Sequence, residues 1–305
     1  MKRTTLKLFA LSALVASSLF STQAKAAEPL PVVASFSILG DLVQVVGGDR
    51  VKVTTLAGPD ADAHEFAPSP AHAKAVLNTR LFVVNGLNFE PWAQKLAKSA
   101  GYKGETLVAS KGVKPRQMAA EAGHDHSHAE TDPHAWQNPL NVVLYVNNIA
   151  AALAKVDPSG TTTYEANAEA YAKQLKDFDA QAKTQLNAIA PPKRKVITSH
   201  DAFGYLAARY GITMLAPEGV NTDSEPSAKH VAQLIRQIKR EKIKAVFVEN
   251  MSNPKLIAQL SKDAGVSVGA TLYSDALSET SGPASTYMKM MNHNLTQLVA
   301  GMKLN

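Results

Sequence analysis

His64, His134, His200 and Asp275 are the residues of this 305-residue chain whose types and settings point most directly to chemistry. Three imidazoles and one carboxylate make a complete tetrahedral ligand set for zinc. No two of them are close enough along the chain to chelate an ion before folding. His64 closes the turn-rich run that starts at Gly58 and Pro59, and His134 stands in Asp132-Pro133-His134. His200 follows the apolar segment Lys195 to Thr198, and Asp275 follows Ser267 to Leu272. Glu249 ends a further apolar segment, Ala245 to Val248, and is either a rival to Asp275 or an acceptor behind the ligands. Glu65, beside His64, is a second candidate for that outer position.

Other histidines read differently. His124, His126 and His128 alternate within Ala119 to Thr131, a polar stretch with no apolar period. It reads as an exposed mobile loop suited to weak, exchangeable metal capture. His72, His230 and His293 fall within helical patterns and read as structural or surface residues.

Positioning four distant ligands requires a scaffold, and the apolar patterning predicts an α/β one. Pro31 to Ser35, Val51 to Leu56 and Leu81 to Val84 read as short buried strands. Helical patterns cover Ala71 to Asn78, Trp92 to Ala100 and Asn141 to Lys155. Strands that alternate with helices imply a parallel sheet. In the second half, Lys195 to Thr198, Ile212 to Leu215, Ala245 to Val248 and Ser267 to Leu272 are strand candidates. Ala202 to Tyr210, Ser227 to Lys242, Pro254 to Ala264 and Ala284 to Lys303 are helix candidates.

Between the halves, Tyr164, Ala168, Tyr171, Leu175, Phe178, Ala182, Leu186 and Ile189 recur every three or four residues, which is one face of a long helix. Asp157-Pro158 is a suitable start and Pro191-Pro192 a stop. The expected organisation is a signal peptide (1–26), an N-terminal α/β lobe (27–156), a rigid linking helix (157–190) and a C-terminal α/β lobe (191–305). Ligands in open α/β sheets bind beyond the carboxyl ends of strands. Two residues from each half would therefore hold a metal between the lobes.

Charge and composition exclude several functions. Lys2, Arg3 and Lys7 precede an apolar run, Leu8 to Phe20, and Ala24-Lys25-Ala26 fits a cleavage site, so the N-terminus reads as a cleavable secretory signal. Cleavage after Ala26 leaves 28 basic against 26 acidic side chains, so the formal charge falls from +6 to +2. No basic stripe with interleaved aromatics remains, and nucleic-acid binding is not expected. The chain has no cysteine, which removes thiolate ligands, a cysteine nucleophile and a lipid-bearing cysteine after the signal. The expectation is a soluble periplasmic monomer without a membrane anchor, and no stretch beyond the leader reads as a membrane span. An enzyme is not expected: Phe66, Ala67 and Pro68 interrupt any HExxH motif at His64-Glu65, and no Gly-x-Ser-x-Gly elbow occurs.

Six stretches carry a more specific signal. They are Asp62 to Pro70 (DAHEFAPSP), Asn85 to Trp92 (NGLNFEPW), Thr131 to Pro139 (TDPHAWQNP), Ser199 to Tyr205 (SHDAFGY), Thr222 to Ser227 (TDSEPS) and Leu272 to Ser278 (LYSDALS). In these, in order along the mature chain, the sequence resembles the zinc/manganese solute-binding proteins of bacterial ABC importers, cluster A-I. The resemblance implies two α/β lobes joined by a rigid helix. It also implies a metal held by His64, His134, His200 and Asp275, and delivery to a membrane permease.

Ala63 departs from the proline usual in that family, which bears on the stiffness of the turn before His64. Manganese-selective relatives tend to carry a carboxylate where this chain has His200, so Zn2+ is expected and Mn2+ is the alternative. A periplasmic zinc chaperone would use the same residues. Metal exchange is expected to involve His134 and the loop before it. Because ligating imidazoles must be neutral, affinity is expected to fall as pH drops through about 6.5.

Overall fold

Strand β1, Leu30–Phe36, is buried from Val32 onward on both faces, as its unbroken apolar run requires of a central parallel strand. The computed structural model describes residues 28–117, 131–220, 222 and 226–305. The leader and His124, His126 and His128 lie outside the described residues.

Helix α1 (Ser37–Gly47) returns the chain to strand β2 (Val51–Ala57). Then follow α2 (Pro70–Leu77), β3 (Leu81–Val84), α3 (Pro91–Ser99) and β4 (Glu105–Val108). The four strands form one parallel sheet in the order β2-β1-β3-β4, with Val32 beside both Val53 and Leu81. A short antiparallel pair, β5 (Arg116–Gln117) and β6 (Thr131–Asp132), leads into α4 (Pro139–Val156). Helix α4 has a mean hydropathy of 1.3, long and apolar enough by composition to cross a membrane, contrary to the expectation for the mature chain. Here it is a core helix: Val142, Tyr145, Val146, Ile149 and Leu153 are buried, and α4 packs on α1 and α5.

The long helix α5 spans Thr161–Asn187, 27 residues or about 40 Å at 1.5 Å per residue. Its buried face carries Tyr164, Ala168, Tyr171, Leu175, Phe178, Ala182 and Leu186, the stripe read from the sequence. Its start differs. Asp157 does not cap it; the carboxylate accepts hydrogen bonds from Arg50 (2.8 Å) and Tyr164 (2.6 Å), and Pro158–Gly160 form a separate 3-10 turn. The helix stops before Pro191, where Ala190 already has the extended ψ of 135° that a following proline favours.

The second half contains β7 (Lys195–Ile197), α6 (Gly204–Tyr210), β8 (Thr213–Leu215), α7 (Ala228–Glu241), α8 (Pro254–Ala264) and α9 (Tyr287–Leu304). Strands β7 and β8 pair in parallel. The expected strands at 245–248 and 267–272 are reduced to single parallel bridges, Ile197 with Val246 and Glu249 with Leu272. Residues 267–270 are exposed, so nothing packs them into a regular ladder.

The principal core is continuous across α5. It joins Val32, Ile38, Leu42 and Trp136 of the first half to Phe203, Leu272, Met290 and Met302 of the second. Smaller cores lie under α7 and α8 (Leu234, Ile238, Leu260) and on the other face of the first sheet (Val33, Val76, Phe82).

Candidate metal centre

The loops that follow β2, β6 and β7 and the segment that follows the bridge at Leu272 converge. They bring His64, His134, His200 and Asp275 together with one potential ligand atom from each inside a 4.8 Å span. His64 Nε2 lies 3.2 Å from His134 Nε2 and 3.3 Å from Asp275 Oδ2. Asp275 Oδ2 is 3.0 Å from His200 Nε2, and Asp275 Oδ1 is 3.5 Å from His134 Nε2. Ligands about 2.0–2.1 Å from a tetrahedral ion stand about 3.3–3.4 Å from one another. These four separations, 3.0–3.5 Å, are close to that spacing. His134, His200 and Asp275 are fully buried, and the His64 side chain is 3% exposed.

Each imidazole is set by a nearby carboxylate acting on its backbone. Asp62 Oδ1 accepts from His64 N (2.8 Å), and Asp132 Oδ1 accepts from His134 N (3.0 Å). Glu249 Oε1 accepts from Ser199 N (2.9 Å) and His200 N (3.0 Å). Two of these carboxylates also reach the ring behind its ligating edge. Asp132 Oδ1 is 2.9 Å from His134 Nδ1. Glu249 Oε2 is 2.7 Å from His200 Nδ1, close enough for charge attraction but off the hydrogen-bond line. His64 Nδ1 is buried without a hydrogen-bond partner among the described residues, and its ring rests edge-on against Phe89 at 4.6 Å. His134, expected to take part in metal exchange, has both its backbone N–H and its ring against Asp132.

The two candidate carboxylates take different places in the arrangement. Asp275 faces the three imidazoles, while Glu249 stands behind His200. Glu65 is exposed, and Asp62 instead takes the N–H of His64, so Glu65 has no place behind the ligands. Asp275 is placed from the first half of the chain: Trp136 Nε1 and Gln137 Nε2 both donate to Ser274 O, at 2.8 and 2.9 Å. The loop of His64 is latched the other way, by Thr222 Oγ1 on Asp62 (2.7 Å) and Asn250 Nδ2 on Asp60 (2.7 Å). The turn at Ala63 is held without a proline, because Trp92 Nε1 donates to Ala63 O at 2.8 Å. Gly204 lets α6 approach closely from behind, since a Cβ there would lie 2.5 Å from Asp132 Oδ2.

At His134, His200 and Asp275 burial opposes charge, yet the neighbouring charges outweigh it. Burial lowers the pKa of His134, but Asp275 and Asp132 raise it to about 9. Burial likewise disfavours charged His200, but Glu249 and Asp275 hold its pKa well above the usual imidazole value. Burial raises Asp275, and His134 and His200 more than reverse this, leaving it well below the carboxylate range. Asp132, Glu249 and Asp275 bring three buried carboxylates, and Arg116, 3.1 Å from Asp132, brings one fixed positive charge. In the metal-free cluster the protons on the raised His134 and His200 answer the remainder, and a divalent cation would take their place.

Asp132 and Asp62 were missed as supporting residues by the reading of the sequence, although a signal existed: both imidazoles follow an Asp-x-His pattern. The three helical histidines find local partners outside the cluster. His72 Nδ1 accepts from Ser69 N in a capping box at the start of α2, while His230 Nε2 and His293 Nε2 lie 3.0 and 2.9 Å from the carbonyls of Ala216 and Thr271.

Comparison with known proteins places this geometry in context. Residues 32–301 match the family described as zinc-uptake complex component A, periplasmic. The iron-binding protein YfeA of Yersinia pestis is 33% identical over 292 residues, covering 93% of this chain and 92% of its own. The manganese-binding lipoprotein MntA of Halalkalibacterium halodurans is 31% identical over 275 residues, 90% of this chain and 89% of its own. Among solved structures, the Mn-bound periplasmic metal binding protein from Candidatus Liberibacter asiaticus aligns with a TM-score of 0.79 at 30% identity. That alignment covers 89% of this chain and 98% of that one. The periplasmic zinc binding protein TroA from Treponema pallidum aligns with a TM-score of 0.83 at 26% identity, covering 90% and 99%.

Proposed function

The chain belongs to the periplasmic zinc-uptake component A family, one of metal-binding substrate-binding proteins of ABC transporters and not of enzymes, and from that premise we propose that its cargo is Zn2+. His64, His134, His200 and Asp275 are the proposed ligands. The protein captures the ion outside the inner membrane and delivers it to the permease of an ABC importer. The observation that carries this reading is the set of three imidazole Nε2 atoms and one carboxylate within 4.8 Å of one another. Imidazole-rich sets suit zinc, whereas carboxylate-rich sets suit manganese. A closed set of four protein ligands leaves no position for an activated water, in keeping with transport.

The proposed organisation is a lobe at 27–156, the linking helix at 157–190 and a lobe at 191–305, with the ion between the lobes. Relatives that include MntA are named lipoproteins, but this sequence has no cysteine to carry a lipid. We therefore read it as a soluble periplasmic protein released by signal cleavage.

A second reading, manganese or iron as cargo, draws on a specific observation. Both oxygens of Asp275 face imidazoles, at 3.0 Å from His200 and 3.5 Å from His134, so bidentate coordination and a higher coordination number are accessible. Metal analysis of protein purified without added metal, followed by zinc–manganese competition titration, separates the readings. Zinc is expected to displace manganese at equal concentration, and H200E is expected to shift the preference toward manganese. Preferential retention of manganese by the parent protein would overturn the zinc assignment. Metal transfer to a reconstituted permease, compared with transfer to a soluble acceptor, distinguishes importer component from chaperone.

A further inference from the structure

The stretch Asn85 to Trp92 carries a buried carboxyl group, Glu90, that takes no part in the ligand cluster. It follows strand β3 and folds in an unusual way. Gly86, Leu87 and Asn88 have φ values of 83°, 54° and 64°, three consecutive left-handed residues of which two are not glycine. Such backbone persists only where its surroundings over-determine it.

Glu90 supplies that determination. Its Oε1 accepts from Ser35 Oγ of β1 (2.8 Å) and from Asn85 N, and its Oε2 accepts from Gly86 N (3.3 Å). The carboxyl group thus reaches back to the strand end instead of capping α3, whose first residue is Pro91. Asn85, fixed in this way, receives Tyr145 Oη on its Oδ1 (2.6 Å) and donates its Nδ2 to Pro133 O (3.0 Å), next to His134.

The turn has one outcome at the cluster. It delivers Phe89, 1% exposed, edge-on against His64 with ring centres 4.6 Å apart. Phe89 is backed by Trp136 at 4.7 Å and Phe36 at 4.9 Å, and it reaches His134 at 6.0 Å. His134 and His200 have carboxylates behind their rings, whereas among the described residues none stands behind His64 Nδ1. Packing against Phe89 stands where those carboxylates stand for the other two.

We propose that Glu90 is a positioning residue for metal retention: it holds the left-handed turn that presses Phe89 against His64 and so fixes the one imidazole of the cluster that, among the described residues, has no carboxylate behind its ring. This rests on the ligand set proposed above. Release of the ion then depends on how firmly the turn is closed, with His64 the ring that Glu90 controls.

The test compares the parent protein with E90A, E90Q, F89L, the double variant E90A/F89L and H64A. Zinc loss to an excess of chelator is followed in time, and the visible spectrum of the Co2+-loaded protein reports ligand geometry. E90A and F89L are each expected to speed zinc loss by about tenfold, the effect of removing one well-placed buried interaction. Their Co2+ spectra are expected to shift. E90Q, which keeps an acceptor oxygen, recovers most of the parental rate. The double variant loses zinc no faster than the faster single variant, because Glu90 acts through Phe89.

Parental rates and spectra in F89L, or additive effects in the double variant, overturn the proposal while the ligand set stands. Parental zinc binding in H64A overturns the ligand set and the proposal with it. If E90A does not fold, F89L and E90Q decide, since F89L leaves the carboxyl group intact.

Discussion

His134 has the same carboxylate on its backbone N–H and on its ring: Asp132 Oδ1 is 3.0 Å from one and 2.9 Å from the other. That contact fixes which ring nitrogen faces the cluster and makes it a better ligand. D132N is expected to lower zinc affinity by about 10–100-fold, as measured by competition with a chromophoric chelator. An unchanged affinity would mean that Asp132 serves only the turn. The same carboxylates change the pH dependence. An unperturbed imidazole would lose its metal near pH 6.5, but the metal-free site holds His134 at about 9 and raises His200. A raised histidine stabilises the metal-free fold fully below the unfolded value near 6.5, and that stability is lost as pH rises through about 9. Metal must displace these protons, so affinity is expected to fall as pH drops below about 9, not only below 6.5. Calorimetry near neutral pH in buffers of different ionisation heat should reveal proton release on zinc binding. Heats independent of buffer would contradict it. The four residues of the cluster were legible as residue types in polar stretches that follow apolar segments. Phe89 was not, because an aromatic ring beside an imidazole leaves no local pattern.

Helix α5 illustrates which elements can be read in advance. Its stripe from Tyr164 to Leu186 repeats with the helical period, a purely local signal, and all seven positions are buried. Its start could not be read, because Arg50, 107 residues away, and Tyr164 take the carboxylate that would otherwise cap it. Two of the four strand candidates in the second half, 245–248 and 267–272, failed similarly. Their composition suits a sheet, but ladder pairing depends on distant partners, and only single bridges form at Val246 and Glu249. The helix itself is a packing element: Leu175 is fully buried in the core shared by both halves. L175A is expected to cost about 2–5 kcal/mol, from lost burial and the cavity left behind. Urea unfolding of the metal-free protein measures it, and a loss under about 1 kcal/mol would mean that the interface relaxes around the gap.

At the scale of the whole molecule, the main core crosses α5 without interruption, and α9 packs on α1 and α5. Hinge motion wide enough to open the cleft would separate buried apolar surface on both sides of the helix. Metal loading is therefore expected to leave the small-angle scattering profile essentially unchanged while raising thermal stability, by about 4 kcal/mol at a free ion concentration a thousandfold above the dissociation constant. A marked contraction on loading would show that the halves move as hinged bodies. By itself the sequence determined the α/β class, the long apolar-striped helix, the absence of thiol chemistry and the residue types able to bind a divalent ion. All of these are properties of composition and short-range period. Tertiary structure alone decided that Asp275 and not Glu249 faces the imidazoles, that Glu249 backs His200, and that Phe89 backs His64. Those contacts join residues 25 to 75 or more positions apart. Chain geometry is what sets such distances, and no local pattern encodes them.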